Sequence, residues 1–159
     1  MVTDALGQLF SERLAGLEPD VLGLVSTAAL LGYRFEARLA ASCAGLSRHG
    51  ARRAFERARS LGLVVREARV PAAYRFRHAL VQVAVRDGLS PECRRLHHAR
   101  IAAVLEALPD APCRTEQLAH HWLAAGDAAK AALYCERAAQ DALRLGALGD
   151  AAAWRARVS

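Results

Sequence analysis

Apolar side chains recur at helical spacing along the first sixty residues. Leu6, Leu9, Phe10, Leu14 and Leu17 stand three and four apart, which predicts an amphipathic helix over residues 4–17. Pro19 suits the first turn of the next helix, where a missing N–H costs nothing. Leu22, Val25 and Ala29 line one side of it and Leu24, Ala28 and Leu31 another. A helix apolar nearly all round belongs in a core, and Gly32 fits its end. A short helix is expected over residues 36–44. Ser47 is a good N-cap for a further helix over residues 48–61, closed by Gly62.

The period then changes. Leu63-Val64-Val65-Arg66 is short and β-branched, and Tyr74-Arg75-Phe76-Arg77 alternates aromatic and basic residues. With Pro71 in the loop between them, the two runs predict a two-stranded ribbon. Helix, helix, helix, hairpin is the order of a winged-helix domain. Residues 78–88 satisfy both periods, since Val81, Val83 and Val85 alternate while Leu80, Val81 and Ala84 also fit a helix. Ser90-Pro91-Glu92 starts a helix plainly, as N-cap, first-turn proline and an acid at the positive end of the dipole.

That helix is expected to reach Leu108, with Ile101, Val104, Leu105 and Leu108 facing a core. Pro109-Asp110-Ala111-Pro112 breaks it and is the expected domain boundary. Helices over residues 115–125 and 128–145 follow. Gly126-Asp127 joins them, and so short a turn makes them antiparallel neighbours. A last stretch after Gly149-Asp150 carries Trp154 as its one large apolar residue and resembles a helix whose packing partner is missing. The expected fold class is therefore mainly α. It comprises a winged-helix-like domain with a small β-hairpin and flanking helices (residues 1–108), then antiparallel helix pairs (residues 109–159).

Composition alters this picture little. An apolar share of 53% over 159 residues is enough for a real core. No apolar run approaches the roughly 20 residues that cross a bilayer. The opening Met1-Val2-Thr3-Asp4 lacks a basic stretch before an apolar one, so a cytoplasmic location without membrane contact is expected. Cys43, Cys93, Cys113 and Cys135 are widely spaced, which argues for reduced thiols packed as small apolar residues. The net charge of +6 is almost wholly arginine, since Lys130 is the sole lysine. It admits a polyanionic partner, although a chain equally rich in alanine also has the residue usage of a GC-rich genome.

Two stretches resemble known families. Leu118-Ala119, Trp122, Gly126-Asp127, Ala131, Cys135 and Ala138 resemble one tetratricopeptide repeat, in which small residues let two helices approach closely. The proline expected after the second helix is absent. Tyr74-Arg75-Phe76-Arg77-His78-Ala79-Leu80-Val81, followed by Arg94-Arg95-Leu96-His97 and Ile101-Ala102, resembles a segment of the signal-transduction ATPases with numerous domains. The chain is most similar to the large ATP-binding LuxR-type and AfsR-type transcriptional regulators and their cyclase-linked relatives, over roughly residues 4–144. In those proteins a P-loop ATPase precedes a winged helix and tetratricopeptide-like repeats.

The resemblance implies ATP or ADP in a parent protein but no cofactor in this chain, because no Gly-x-x-x-x-Gly-Lys-Ser/Thr occurs here. It further implies that the chain carries a first repeat and the start of a second. The implied role is a non-catalytic relay and protein-interaction segment. Its implied partners are the nucleotide-binding domain of the same parent and a protein or small inducer on the repeat surface. Related ATPases touch the nucleotide phosphate with a histidine just after the wing, and His78 stands there, with Ala79 where the relatives have an acid.

The alternative is a stand-alone winged-helix DNA-binding regulator. Arg48, His49, Arg52, Arg53, Arg57 and Arg59 crowd the third helix, and arginine matches both guanine and phosphate. Phe55 among them, flanked by Ala54 and Ala58, is expected in the core. On the repeat-like helices Leu118, Trp122, Ala131, Tyr134, Cys135 and Trp154 are the packing or interaction residues, with Tyr134 and Trp154 as aromatic anchors and Trp122 expected to pack between helices more than to serve as a third anchor. His97-His98 and His120-His121, with Cys93 four residues before His97, invite a metal reading. Adjacent histidines on one helix point about 100° apart, so neither pair chelates one ion well, and no metal ligand is expected. Ser47 and Ser90 are caps, and no catalytic set converges.

Overall fold

The computed structural model describes residues 12–158. The helix expected over residues 4–17 lies mostly outside them; residues 12–15 are helical, and Leu14 is buried. The chain is mainly helical with one small antiparallel sheet and forms two compact units, Met1–Cys93 and Arg94–Ser159.

In the first unit α1 (Pro19–Leu31) is buried nearly all round, as its composition demands, and ends at Gly32. β1 (Arg34–Glu36) comes next, then α2 (Ala37–Cys43), α3 (Arg48–Ser60), β2 (Val64–Arg66), β3 (Ala73–Phe76) and α4 (Ala79–Gly88). Ser47 caps α3 by accepting a hydrogen bond from the Gly50 N–H at 3.1 Å. The ribbon has a third member, because β1 pairs antiparallel with β3 and gives the order β1-β3-β2. Glu36 therefore ends a strand and does not begin a helix. Residues 78–88 resolve as helix, with Val81 and Val85 buried and Leu80 exposed.

The core of this unit is aromatic at its centre. Phe76 is fully buried with its ring centre 5.6 Å from that of Phe35, and Phe55 lies 4.5 Å from Tyr74. Phe55 is thus a core residue on α3, as its alanine neighbours imply. On the sheet Arg34 stands opposite Arg75, a like-charge pair that would repel. The Glu67 carboxylate lies 3.3 Å from Arg34 and 3.4 Å from Arg75 and offsets that repulsion.

Helix α5 (Pro91–Glu106) starts on the expected signal, with Ser90 Oγ accepting from the Cys93 N–H at 3.2 Å. After a 3-10 turn at Ala111–Arg114 come α6 (Thr115–Ala125), α7 (Ala128–Arg144) and α8 (Leu148–Ala156). The division at Cys93 falls before the proline-rich break expected to mark it. α5 buries Ile101, Ala102 and Leu105, and its Glu106 accepts from Lys130 at 2.7 Å and from Tyr134 at 2.7 Å, both on α7. Those bonds join α5 to the helices beyond the break.

α6 and α7 are packed neighbours, and α8 packs on α7. Gly126 and Gly146 both take left-handed backbone (φ 81° and 76°) at the two turns, a conformation that costs glycine little. Small residues line the packed faces: Ala119, Ala131, Cys135, Ala138, Ala139, Ala142 and Ala151 are all buried. α8 starts at Leu148, ahead of the Gly149-Asp150 start expected from the sequence. Asp127 caps α7, accepting from the Lys130 N–H at 3.0 Å. Asp127→Ala is expected to destabilise the second unit by about 1 kcal/mol, read as a lower urea midpoint with unchanged slope.

Candidate functional site

Four places in the fold hold the chemistry that the sequence singles out. His78 occupies the N-cap position of α4 in extended backbone, is exposed, and makes no capping bond with its side chain. Its ring is open to solvent at the end of β3.

The arginines of α3 form an exposed face. Arg48, His49, Arg52, Arg53, Arg57 and Arg59 are all exposed, while Ala51, Ala54, Phe55 and Ala58 turn inward. The face is partly neutralised. Arg52 pairs with Glu56 at 3.1 Å, and Arg57 lies 3.9 Å from Glu18. Arg48, Arg53 and Arg59 have no ion-pair partner among the described residues. Exposed pairs of this kind contribute little to stability, so the face remains cationic.

On the repeat-like helices Leu118, Trp122, Ala131, Tyr134 and Cys135 are buried. Burial makes Tyr134 a packing residue and not a surface anchor, and agrees with packing as the expected role of Trp122. Trp154 is half-buried, with the Arg157 guanidinium 4.1 Å from its ring centre. The exposed apolar residues lie elsewhere, at Leu133, Leu143, Leu145 and Leu148. Lys130 Nζ bonds Glu106 and sits 4.1 Å above the Trp122 ring, so the single lysine is engaged in structure. Those two hydrogen bonds to Glu106, from Lys130 and Tyr134, hold its carboxyl below the usual range. A groove of about 450 Å³ borders this network, lined by Tyr134, Arg137, Asp141 and Arg144 among others.

The fourth place is a histidine cluster, which no local pattern shows. His98 on α5 meets His120 and His121 on α6, and one nitrogen from each ring lies within 4.8 Å of the others. The ring centres are 5.1 Å apart for His98–His121, 5.2 Å for His120–His121 and 5.8 Å for His98–His120. Nδ1 of His98 and Nδ1 of His121 are 2.8 Å apart, a hydrogen bond in which one ring donates and the other accepts. His98 and His121 are buried and His120 is exposed.

Burial, then the charges of His120, Arg94 and His97, lowers His98 to about 4. Burial, then His98 and His120, lowers His121 to about 3. Both rings are therefore neutral at pH 7. His97 is half-buried and also lowered, by burial and by Arg100, but stands outside the cluster, as does the exposed Cys93. Of the cysteines, Cys43 and Cys135 pack as small apolar residues, and burial pushes the Cys43 thiol up to about 12. Cys93 and Cys113 are exposed, unlike the packed thiols expected from their spacing.

Among the described residues no helix is long and apolar enough to cross a membrane. No protein family, no curated protein and no solved structure matches the chain.

Proposed function

We propose that this chain is a non-catalytic relay and protein-interaction segment of an ATP-dependent regulator, with the nucleotide-binding domain supplied outside these residues. The observation that carries the reading is the succession of helices α6, α7 and α8. Each turn has a left-handed glycine, and small residues on α7 (Ala131, Cys135, Ala138, Ala139, Ala142) are buried together with Leu118 and Trp122 of α6 and Ala151 of α8. Helical hairpins stacked in this way build extended surfaces for partners. Exposed Leu145 and Leu148 extend the apolar character of that stack to its surface.

The first unit supports the same reading. Its order of helix, strand, two helices and hairpin, with the sheet order β1-β3-β2, supports the winged-helix reading that the sequence suggests. Exposed His78, two residues past the end of β3, is the residue to which the resemblance gives nucleotide sensing. The coding DNA on either side of this chain tests the reading. A P-loop upstream in frame, with further helix pairs downstream, is the expected result. Stop codons immediately on both sides would overturn it.

The cationic face of α3 favours a second reading, a winged-helix regulator that binds DNA. Binding through Arg48, Arg53 and Arg59 would be mainly phosphate-driven, with affinity falling steeply as salt rises. Under the relay reading no shift of random duplex is expected even at low salt. A salt-sensitive shift lost in Arg48→Ala/Arg53→Ala would establish the DNA reading in its place.

A further inference from the structure

The geometry points to a transition-metal site in the second unit, in which His98, His120 and His121 together bind one Zn2+-type ion. The inference is independent of the relay reading, since it rests on side chains of α5 and α6 alone.

Three imidazoles bound to one tetrahedral ion at Zn–N distances of about 2.0–2.1 Å place their ring centres about 5 Å apart. The observed separations of 5.1, 5.2 and 5.8 Å already have that arrangement. Ligand nitrogens of such an ion lie about 3.3 Å apart. The 2.8 Å between the two Nδ1 atoms has to open slightly, and the widest nitrogen separation of 4.8 Å has to close. His120 can make that second adjustment, because it is exposed and free to turn.

Adjacent histidines leave a helix about 100° apart, yet the His120 and His121 rings bend toward each other, with their centres 5.2 Å apart. His98 enters from a second helix, so that each of the three rings is a near neighbour of the other two. Imidazole coordinates metal through the lone pair of an unprotonated ring nitrogen. On binding, the proton on the donating Nδ1 moves by way of solvent to Nε2 of the same ring, so that both rings stay neutral and each presents an Nδ1 lone pair. Three imidazoles suit Zn2+ and its divalent neighbours better than Mg2+ or Ca2+, which take oxygen. Three protein ligands leave a fourth position, and the exposed His120 places it toward solvent, where water would fill it. Arg94 opposes an incoming cation through its charge, as its effect on His98 shows, and His97 adds to this when protonated.

The test is Zn2+ binding to the full, untagged chain, measured by competition with a chromophoric chelator. Cys93→Ser and Cys113→Ser are present throughout, so that exposed thiols do not capture the ion. One Zn2+ per chain is expected. His120→Ala, at an exposed position that leaves the fold intact by circular dichroism, is expected to weaken binding at least about tenfold, the lower end of what even an outer-shell partner contributes. His49→Ala, an exposed histidine on α3, should change nothing. Co2+ in place of Zn2+ should give the visible absorption of a four-coordinate ion and lose it in His120→Ala. Absence of binding, or equal affinity in the parent and His120→Ala, would overturn the proposal and leave His98–His121 as a plain hydrogen bond.

Discussion

Acidification from pH 7 to pH 5 is expected to destabilise the metal-free second unit by up to about 4 kcal/mol. Unfolded histidines titrate near 6.5, whereas in the fold His98 is lowered to about 4 and His121 to about 3. Between those limits the unfolded chain binds protons that the folded chain refuses. The stability from keeping both rings neutral is thus fully present above about pH 6.5. It is lost progressively as pH falls toward 4 and 3. Glu106 does not produce this change, because Lys130 and Tyr134 hold its carboxyl low and it stays ionised at pH 5.

Urea unfolding followed by circular dichroism, with a chelator present, measures the effect. The midpoint should drop between pH 7 and pH 5, and His121→Gln should lose about half of that drop. A midpoint that does not move over this interval would show that the two rings are not held neutral.

Phe76→Ala is expected to cost the first unit about 3–5 kcal/mol, the usual range for truncating a fully buried aromatic residue. Phe76 is inaccessible to solvent and packs its ring against Phe35, with Tyr74 and Phe55 next in the same aromatic set. Its backbone N–H also donates to the Tyr33 carbonyl at 3.0 Å, so the position ties β3 to the chain leading into β1. Removing the ring leaves a cavity in the first unit's core. The control is Leu80→Ala on α4, where the side chain is 79% exposed and the effect should stay within about 0.5 kcal/mol. A Phe76→Ala midpoint close to that of the parent would mean that the aromatic set does not hold the unit together.

How far the sequence could be read depended on the distance over which each signal acts. The helices at Pro19–Leu31, Arg48–Ser60, Thr115–Ala125 and Ala128–Arg144 are legible because periodicity, caps and terminal glycines are local. Ser47 and Ser90 cap as expected for the same reason. β1 is not legible: three residues are too few to show a period, and Arg34 and Glu36 become strand residues only because β3 pairs with them. Residues 78–88 satisfied both periods, and burial of Val81 and Val85 in the first unit's core settled them as helix. The proline-rich break after α5 was visible, but the bonds that carry α5 past it connect residues 24 and 28 apart.

The site divides along the same line. Residue types and helical faces were determined by the sequence alone: an outward row of arginines on α3, a stripe of small residues on α7, two histidine pairs. Which of these meet was decided by tertiary structure. Tyr134, expected as a surface anchor, is buried, and Trp122 is buried as its expected packing role requires, because burial depends on what the neighbouring helices cover. His98 and His121 lie 23 residues apart and reach hydrogen-bond distance only when α5 and α6 pack. A side chain's direction on its own helix follows from the local period, whereas the helix it faces follows from the free energy of burying the whole apolar surface.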